Sequence, residues 1–173
     1  AAKKIVDAIK AKVTPAELEQ ITKKPTENLK AYEYYLKAQE QLQAETKEGL
    51  EASTHLLKKA IEQDSQFALA YSKLAIAYYY LDLNQTKKKY TEIINNYADK
   101  ALLYDSKSAQ SLIAKALYYI NINGYRLAVP HLEKALEYNP NSNAVVQILA
   151  DLYSRVIPNT SKYLQYAYKL ILK

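Results

Sequence analysis

Residues 109–142 read AQSLIAKALYYININGYRLAVPHLEKALEYNPNS. Leu112, Ala116 and Tyr119 recur at the i, i+4, i+7 spacing that places side chains on one face of an α-helix, and Ala128, Leu132 and Ala135 repeat the spacing after Asn123-Gly124. Asn-Gly interrupts the helical pattern, and Asn139-Pro140-Asn141 closes it, because the residue before a proline avoids the helical region. The stretch therefore predicts two amphipathic helices joined by a tight turn, each with a small residue where its partner must come close.

The same alternation extends in both directions. YSKLAIAY at 71–78 sets Tyr71, Leu74, Ala75 and Tyr78 in the order of the first helix of 109–142, and VVQILADLY at 145–153 does so with Val146, Leu149, Ala150 and Tyr153. A less regular copy holds Tyr34, Ala38 and Leu42, then Ser53, Leu57 and Ala60. Polar breaks at Thr46, Asp64-Ser65, Asn84-Gln85-Thr86, Asp105-Ser106, Asn123-Gly124, Asn139-Pro140-Asn141 and Pro158-Asn159-Thr160 divide the chain into eight helices, or four hairpins. Second-helix alanines at 60, 101, 135 and 167 stand 41, 34 and 32 residues apart, so the first two units are expected to carry longer turns between their helices.

Ahead of the hairpins, Ile5, Val6, Ile9 and Val13 share one face of a short helix over about 3–12. Thr14-Pro15-Ala16-Glu17 starts another, with Thr14 as N-cap, Pro15 at the first helical position and Glu17 completing a capping box. Lys23-Lys24-Pro25-Thr26 ends it. The expected organisation is an N-terminal helical connector, 1–26, followed by an array, 27–173, with units near 31–66, 67–108, 109–142 and 143–173.

Composition agrees with an all-α chain. Of 173 residues 49% are hydrophobic, enough for a sizeable core, and two glycines and five prolines leave little scope for hairpin turns between strands. There is no cysteine, which removes disulfides, thiol nucleophiles and cysteine-ligated zinc. No apolar run approaches the roughly 20 residues of a membrane-spanning helix. There is also no methionine, which suggests a processed chain or one drawn from within a longer polypeptide. The net charge of +6 comes from 24 basic residues scattered among 18 acids, only Arg126 and Arg155 being arginine. A solvated surface explains that distribution better than a nucleic-acid groove, which needs clustered cations.

In these residues the chain resembles the tetratricopeptide repeat family. Its pattern is a large residue, leucine, a small residue and tyrosine on a first helix, then alanines, an aromatic or leucine and a closing proline on a second. Here tyrosine stands for tryptophan and alanine for glycine in unit two, Lys115 occupies a leucine position, and Ser65 and Ser106 replace the closing proline. The resemblance implies a right-handed superhelical array of about four hairpins whose first helices line a concave groove for a peptide or helix.

A second apolar face on the first helices marks that groove: Leu69, Ile76 and Tyr79 in one unit, Ile113, Leu117 and Ile120 in the next, Tyr32, Tyr35 and Leu42 in the first. With Ser72 and Gln147 these residues are the candidate ligand site, occupied either by another polypeptide or by the chain's own N-terminal helix. Family members that grip an acidic C-terminus use Lys, Asn and Arg on this face. Ser72, Ile76, Ile113 and Leu117 stand there instead, so an apolar or amphipathic segment is the expected ligand. Residues 1 to about 80 further resemble, less specifically, the connector and first repeats that follow a TolB-like domain in bacterial signalling proteins. That resemblance implies a cytoplasmic regulatory or scaffolding arm.

Catalysis finds no foothold. His55 and His131 are the only histidines, each mid-helix with no pattern-matched acid or serine, and HExxH, GxSxG, GxxxxGKS and GxGxxG are all absent. The 18 tyrosines could stack on bases but lack a basic groove beside them, so Tyr71, Tyr78, Tyr119 and Tyr153 are expected in the core, while Tyr79 lies one step around the helix from that set. The expectation is a non-catalytic protein-interaction module without cofactor or metal. The alternative is a structural arm that pairs with a second copy.

Overall fold

A computed structural model describes residues 23–83 and 85–172, together with Pro15. The short helices expected over 3–12 and 14–21 lie outside the described residues. Among the described residues are eight α-helices and no strand: α1 Leu29–Leu42, α2 Lys47–Gln63, α3 Ala68–Leu83, α4 Thr91–Tyr104, α5 Ala109–Asn121, α6 Tyr125–Tyr138, α7 Asn143–Asp151 and α8 Thr160–Ile171. A π-helical turn, Leu152–Val156, prolongs α7.

Each break does what its residues dictate. Asn28, Thr46, Ser108, Ser142 and Asn159 adopt extended backbone and accept from the amide three residues on, satisfying one of the orphan donors of the following helix. The carboxylates of Asp64 and Asp105 accept from the amides of Gln66 and Lys107 to fold the turns before α3 and α5. Among the described residues two non-glycine residues take positive φ, Glu45 at 51° and Asn123 at 59°, each one turning the chain between a helix pair. Gly124 follows Asn123, and a Cβ there would lie 3.3 Å from the Tyr119 carbonyl oxygen.

Successive helices pack pairwise, α1 on α2, α3 on α4, α5 on α6 and α7 on α8, and each pair joins the next through α2 on α3, α4 on α5 and α6 on α7. Alanines make the approach possible: Ala38, Ala60, Ala75, Ala98, Ala101, Ala116, Ala128 and Ala135 are all fully buried. Phe67, Leu57, Leu74 and Ile94 fill one core cluster, and Leu132, Leu149, Val145 and Val146 a second. Between α3 and α4 the filling is aromatic. The Tyr71 ring lies 5.6 Å from Tyr104 and 6.1 Å from Tyr97, and Tyr78 lies 5.0 Å from Tyr90. Tyr119 is only half-buried, with the His131 ring at 5.2 Å and the Lys115 ammonium at 5.4 Å.

Direct packing between first helices is close for α3 on α5. There the Ser72 hydroxyl donates to the Ala68 carbonyl and meets Ser111 Oγ at 3.4 Å, and Ser111 Oγ donates to the Ala101 carbonyl. The longer turn expected in unit two is the segment between α3 and α4. Asp82, fully buried, holds it by accepting from the amides of Lys89 and Tyr90. The unit-one turn spans only Gln43 to Thr46, so the longer turn expected there is not found; the 41 residues from Ala60 to Ala101 include the long segment between α3 and α4 instead.

Residues 23–26 run across the ends of the first pairs. Lys23 Nζ lies 2.8 Å from Asp105 Oδ2, and Thr26 Oγ1 donates to Asp64 Oδ2, so both aspartate turns are tied to the segment ahead of α1.

Candidate functional site

The expected ligand stripe lies on α1, α3, α5 and α7, but the structure divides it. Tyr35, Ser72, Tyr79 and Leu117 are buried, at 6%, 0%, 8% and 3% exposure. Helical periodicity placed them on a free face, whereas the close approach of α3 to α5 and the docking of Phe67 on Tyr35, 5.2 Å between rings, consume that face. These four side chains pack hairpin against hairpin and are corrected from ligand contacts to core. Burial also pushes the phenols of Tyr35 and Tyr79 up to about 12.

What stays accessible is a narrower set. Leu69, Ile76, Ile113 and Ile120 are half-buried and pack with one side on the first core cluster, while Tyr32 and Gln147 are exposed. Two cavities gather part of this set. One of about 400 Å³ lies between Tyr32, Leu69 and the Lys23–Asp105 ion pair. The other, about 650 Å³, is bounded by Leu42 and Leu50 at the α1–α2 turn and by Lys73, Ile76 and Tyr80 on α3. They sit at opposite ends of the accessible side of α3, and Leu69 to Tyr80 spans about 16 Å at 1.5 Å per residue.

Tyr80 and Lys73 were not among the expected site residues. Tyr80 is 48% exposed beside the buried Tyr79, its ring edge-on at 5.4 Å. Spacing put Tyr78 in the core and Tyr79 on the open face and left Tyr80 unassigned, because which tyrosine faces out depends on where α5 docks.

His131 Nδ1 lies 2.9 Å from the Leu127 carbonyl, and its ring packs on Tyr119; His55 is exposed. Lys115, where the sequence resemblance expects leucine, reaches Asp99 at 2.6 Å and Asn95 at 2.7 Å and covers Tyr118. Its stem buries where leucine would, and its ammonium escapes to a carboxylate. A third cavity, about 580 Å³, lies over α4 between Asn95, Asp99 and Tyr118. Among the described residues no group of three His, Cys, Asp or Glu side chains is placed to hold a metal ion, and no helix is long and apolar enough to cross a membrane.

Comparison with family models gives no match to this chain, and comparison with curated proteins gives none either.

Proposed function

We propose that the chain is a non-catalytic protein-interaction module, a right-handed superhelical stack of about four tetratricopeptide-like hairpins. Its first helices hold an apolar or amphipathic segment of another polypeptide. The observation that carries this reading is the accessible edge of α3, where Leu69, Ile76 and Tyr80 stay partly exposed between two cavities although the opposite face of the helix is fully packed. A stripe of apolar side chains at helical spacing, some 16 Å long, matches three turns of an amphipathic helix laid along it. Tyr32, Ile113, Ile120 and Gln147 extend the surface to the neighbouring first helices.

The setting that the sequence resemblance suggests is the regulatory or scaffolding part of a larger bacterial signalling protein working in the cytoplasm. A peptide-array screen against the whole chain tests the binding reading. Amphipathic peptides are expected to bind, and replacing Ile76 by Asp is expected to weaken them at least tenfold; peptides indifferent to the substitution would remove the groove from the account. The alternative, a self-association arm, is favoured by the same exposed apolar side chains. It predicts a mass that grows with concentration in light scattering and falls back in Leu69→Asp.

A further inference from the structure

The last helix departs from the packing of the others. α8 lies on α7 and the π-helical turn, and its Tyr166 hydroxyl donates to Glu133 on α6, yet Tyr166 is the one residue of the helix that is buried. Tyr163, Leu164, Tyr168, Leu170 and Ile171 are all exposed, Ile171 at 75%, as is Leu172 just beyond the helix at 82%. At 100° per residue the five on the helix spread over about 160° of its circumference, where a stripe of about 100° serves packing onto a protein core. α8 also separates apolar from polar side chains more sharply than any other helix described.

The charge around that face is largely of one sign. From Leu152 to Lys173 the sequence holds Arg155, Lys162, Lys169 and Lys173 and no acid. Arg155 is exposed on the π-helical turn. Lys162 and Lys169 fall on the side of α8 opposite the exposed apolar residues, Lys162 Nζ 3.4 Å from Glu133 Oε1 and Lys169 Nζ 5.6 Å from the centre of the Tyr166 ring. Glu133 meets this segment, where it also accepts from Tyr153 and Tyr166, and Asp151 precedes it, so four cations stand against two acids.

We propose that α8 lies on an anionic lipid surface, parallel to it, with Leu164, Ile171 and Leu172 among the acyl chains and the cations at the level of the headgroups. An apolar face this wide, with lysines on the opposite side, is the pattern of an interfacial helix, which rests on a bilayer without crossing it. Tyr163 and Tyr168 suit the boundary, since each combines an apolar ring with a hydroxyl that stays wet, and the lysine stems let their ammonium groups reach outward to phosphates. Charge decides against a second copy as the occupant. Two α8 helices paired through this face would bring the same cations together, whereas an anionic leaflet carries the opposite sign. The surface shares no residue with the α3 edge, and its test needs no peptide.

Co-sedimentation of the whole chain with vesicles of phosphatidylcholine and phosphatidylserine in a two-to-one mixture tests the proposal, with pure phosphatidylcholine vesicles alongside. Binding at least tenfold tighter to the mixed vesicles is expected, weakening as salt is raised, and Ile171→Asp is expected to reduce it at least tenfold. Leu172→Asp, which lies beyond the helix, repeats the test should Ile171→Asp lose helicity. No binding to the mixed vesicles, or equal binding to the pure ones, would overturn the proposal. So would vesicle binding that both substitutions leave intact, because it would then come from the scattered cations of the whole surface. A dimer seen by light scattering without lipid and dissolved by Ile171→Asp would assign the face to a second copy instead. Tighter capture by an acidic amphipathic peptide than by the vesicles, lost in the same variant, would assign it to a polypeptide and overturn the lipid reading.

Discussion

Asp82 Oδ2, fully buried at the C-terminal end of α3, accepts a hydrogen bond of 3.0 Å from the backbone N–H of Tyr90, the residue that opens α4. Its other oxygen accepts from the Lys89 amide at 2.8 Å, and Asn121 Nδ2 reaches Asp82 Oδ2 from α5 at 3.4 Å while Asn121 Oδ1 accepts from Thr91. One side chain therefore closes the longest inter-helix turn and ties it to the next hairpin. This matters for the proposed groove, since the position of α4 and α5 sets which side of α3 remains open.

Replacing Asp82 by Ala leaves the Lys89 and Tyr90 amides without their acceptor in a buried turn. A loss of about 2–4 kcal/mol in urea unfolding is expected, and Asp82→Asn, which keeps one acceptor oxygen, is expected to lose less. Equal stability of Asp82→Ala and the unaltered chain would show that the turn holds by other means.

Gly49 lies in the first turn of α2, and a Cβ there would come within 2.5 Å of the Gln41 carbonyl oxygen on α1. Backbone, not a flexible side chain, is in the way. Gly49→Ala is expected to lower stability by about 1–3 kcal/mol even though alanine favours helix, because overpacking outweighs propensity. Thermal unfolding of the two proteins checks it.

Glu133 on α6 gathers the C-terminal pair: its Oε1 accepts from Tyr153 at 3.3 Å, Tyr166 at 3.2 Å and Lys162 at 3.4 Å. The same burial and carboxylate raise the pKa of Tyr166 well above its ordinary value. Glu133→Leu is expected to speed hydrogen exchange in α8 while leaving α3 to α5 unchanged. Uniform acceleration along the chain would show instead that the contact supports the whole fold.

The buried phenols set an alkaline limit. Tyr35 and Tyr79 have pKa values of about 12 in the folded chain against about 10 unfolded. The unfolded state releases its protons first, so their contribution is fully present below pH 10 and is lost as pH climbs toward 12. Stability against urea should be level through neutral pH and fall across that window, and Tyr35→Phe should make the fall shallower. A slope unchanged by the substitution would assign the loss to other groups.

The helical framework was legible in the residues because its signals are local. Each polar break sits where a turn occurs, and the caps Thr46 and Asn159 are the residues that a helix start requires. The accessible face of the first helices was only half legible. Spacing shows that Ser72, Ile76 and Tyr79 share a side of α3, but not that α5 docks across part of that side, burying Ser72 and Tyr79 and leaving Ile76 at the edge. Nothing local marks Asp82, since the amides its carboxylate accepts from lie seven and eight residues away in a loop without a motif.

The central claim is that the accessible edge of α3 holds a segment of another polypeptide. It is tested most directly by selecting amphipathic peptides against the unaltered chain and measuring the affinity of the best one for Leu69→Asp and Tyr80→Asp, both checked for native helicity. At least a tenfold loss in each variant is the predicted result, because both side chains flank the same edge. Undiminished affinity in both would place the binding surface elsewhere and contradict the account.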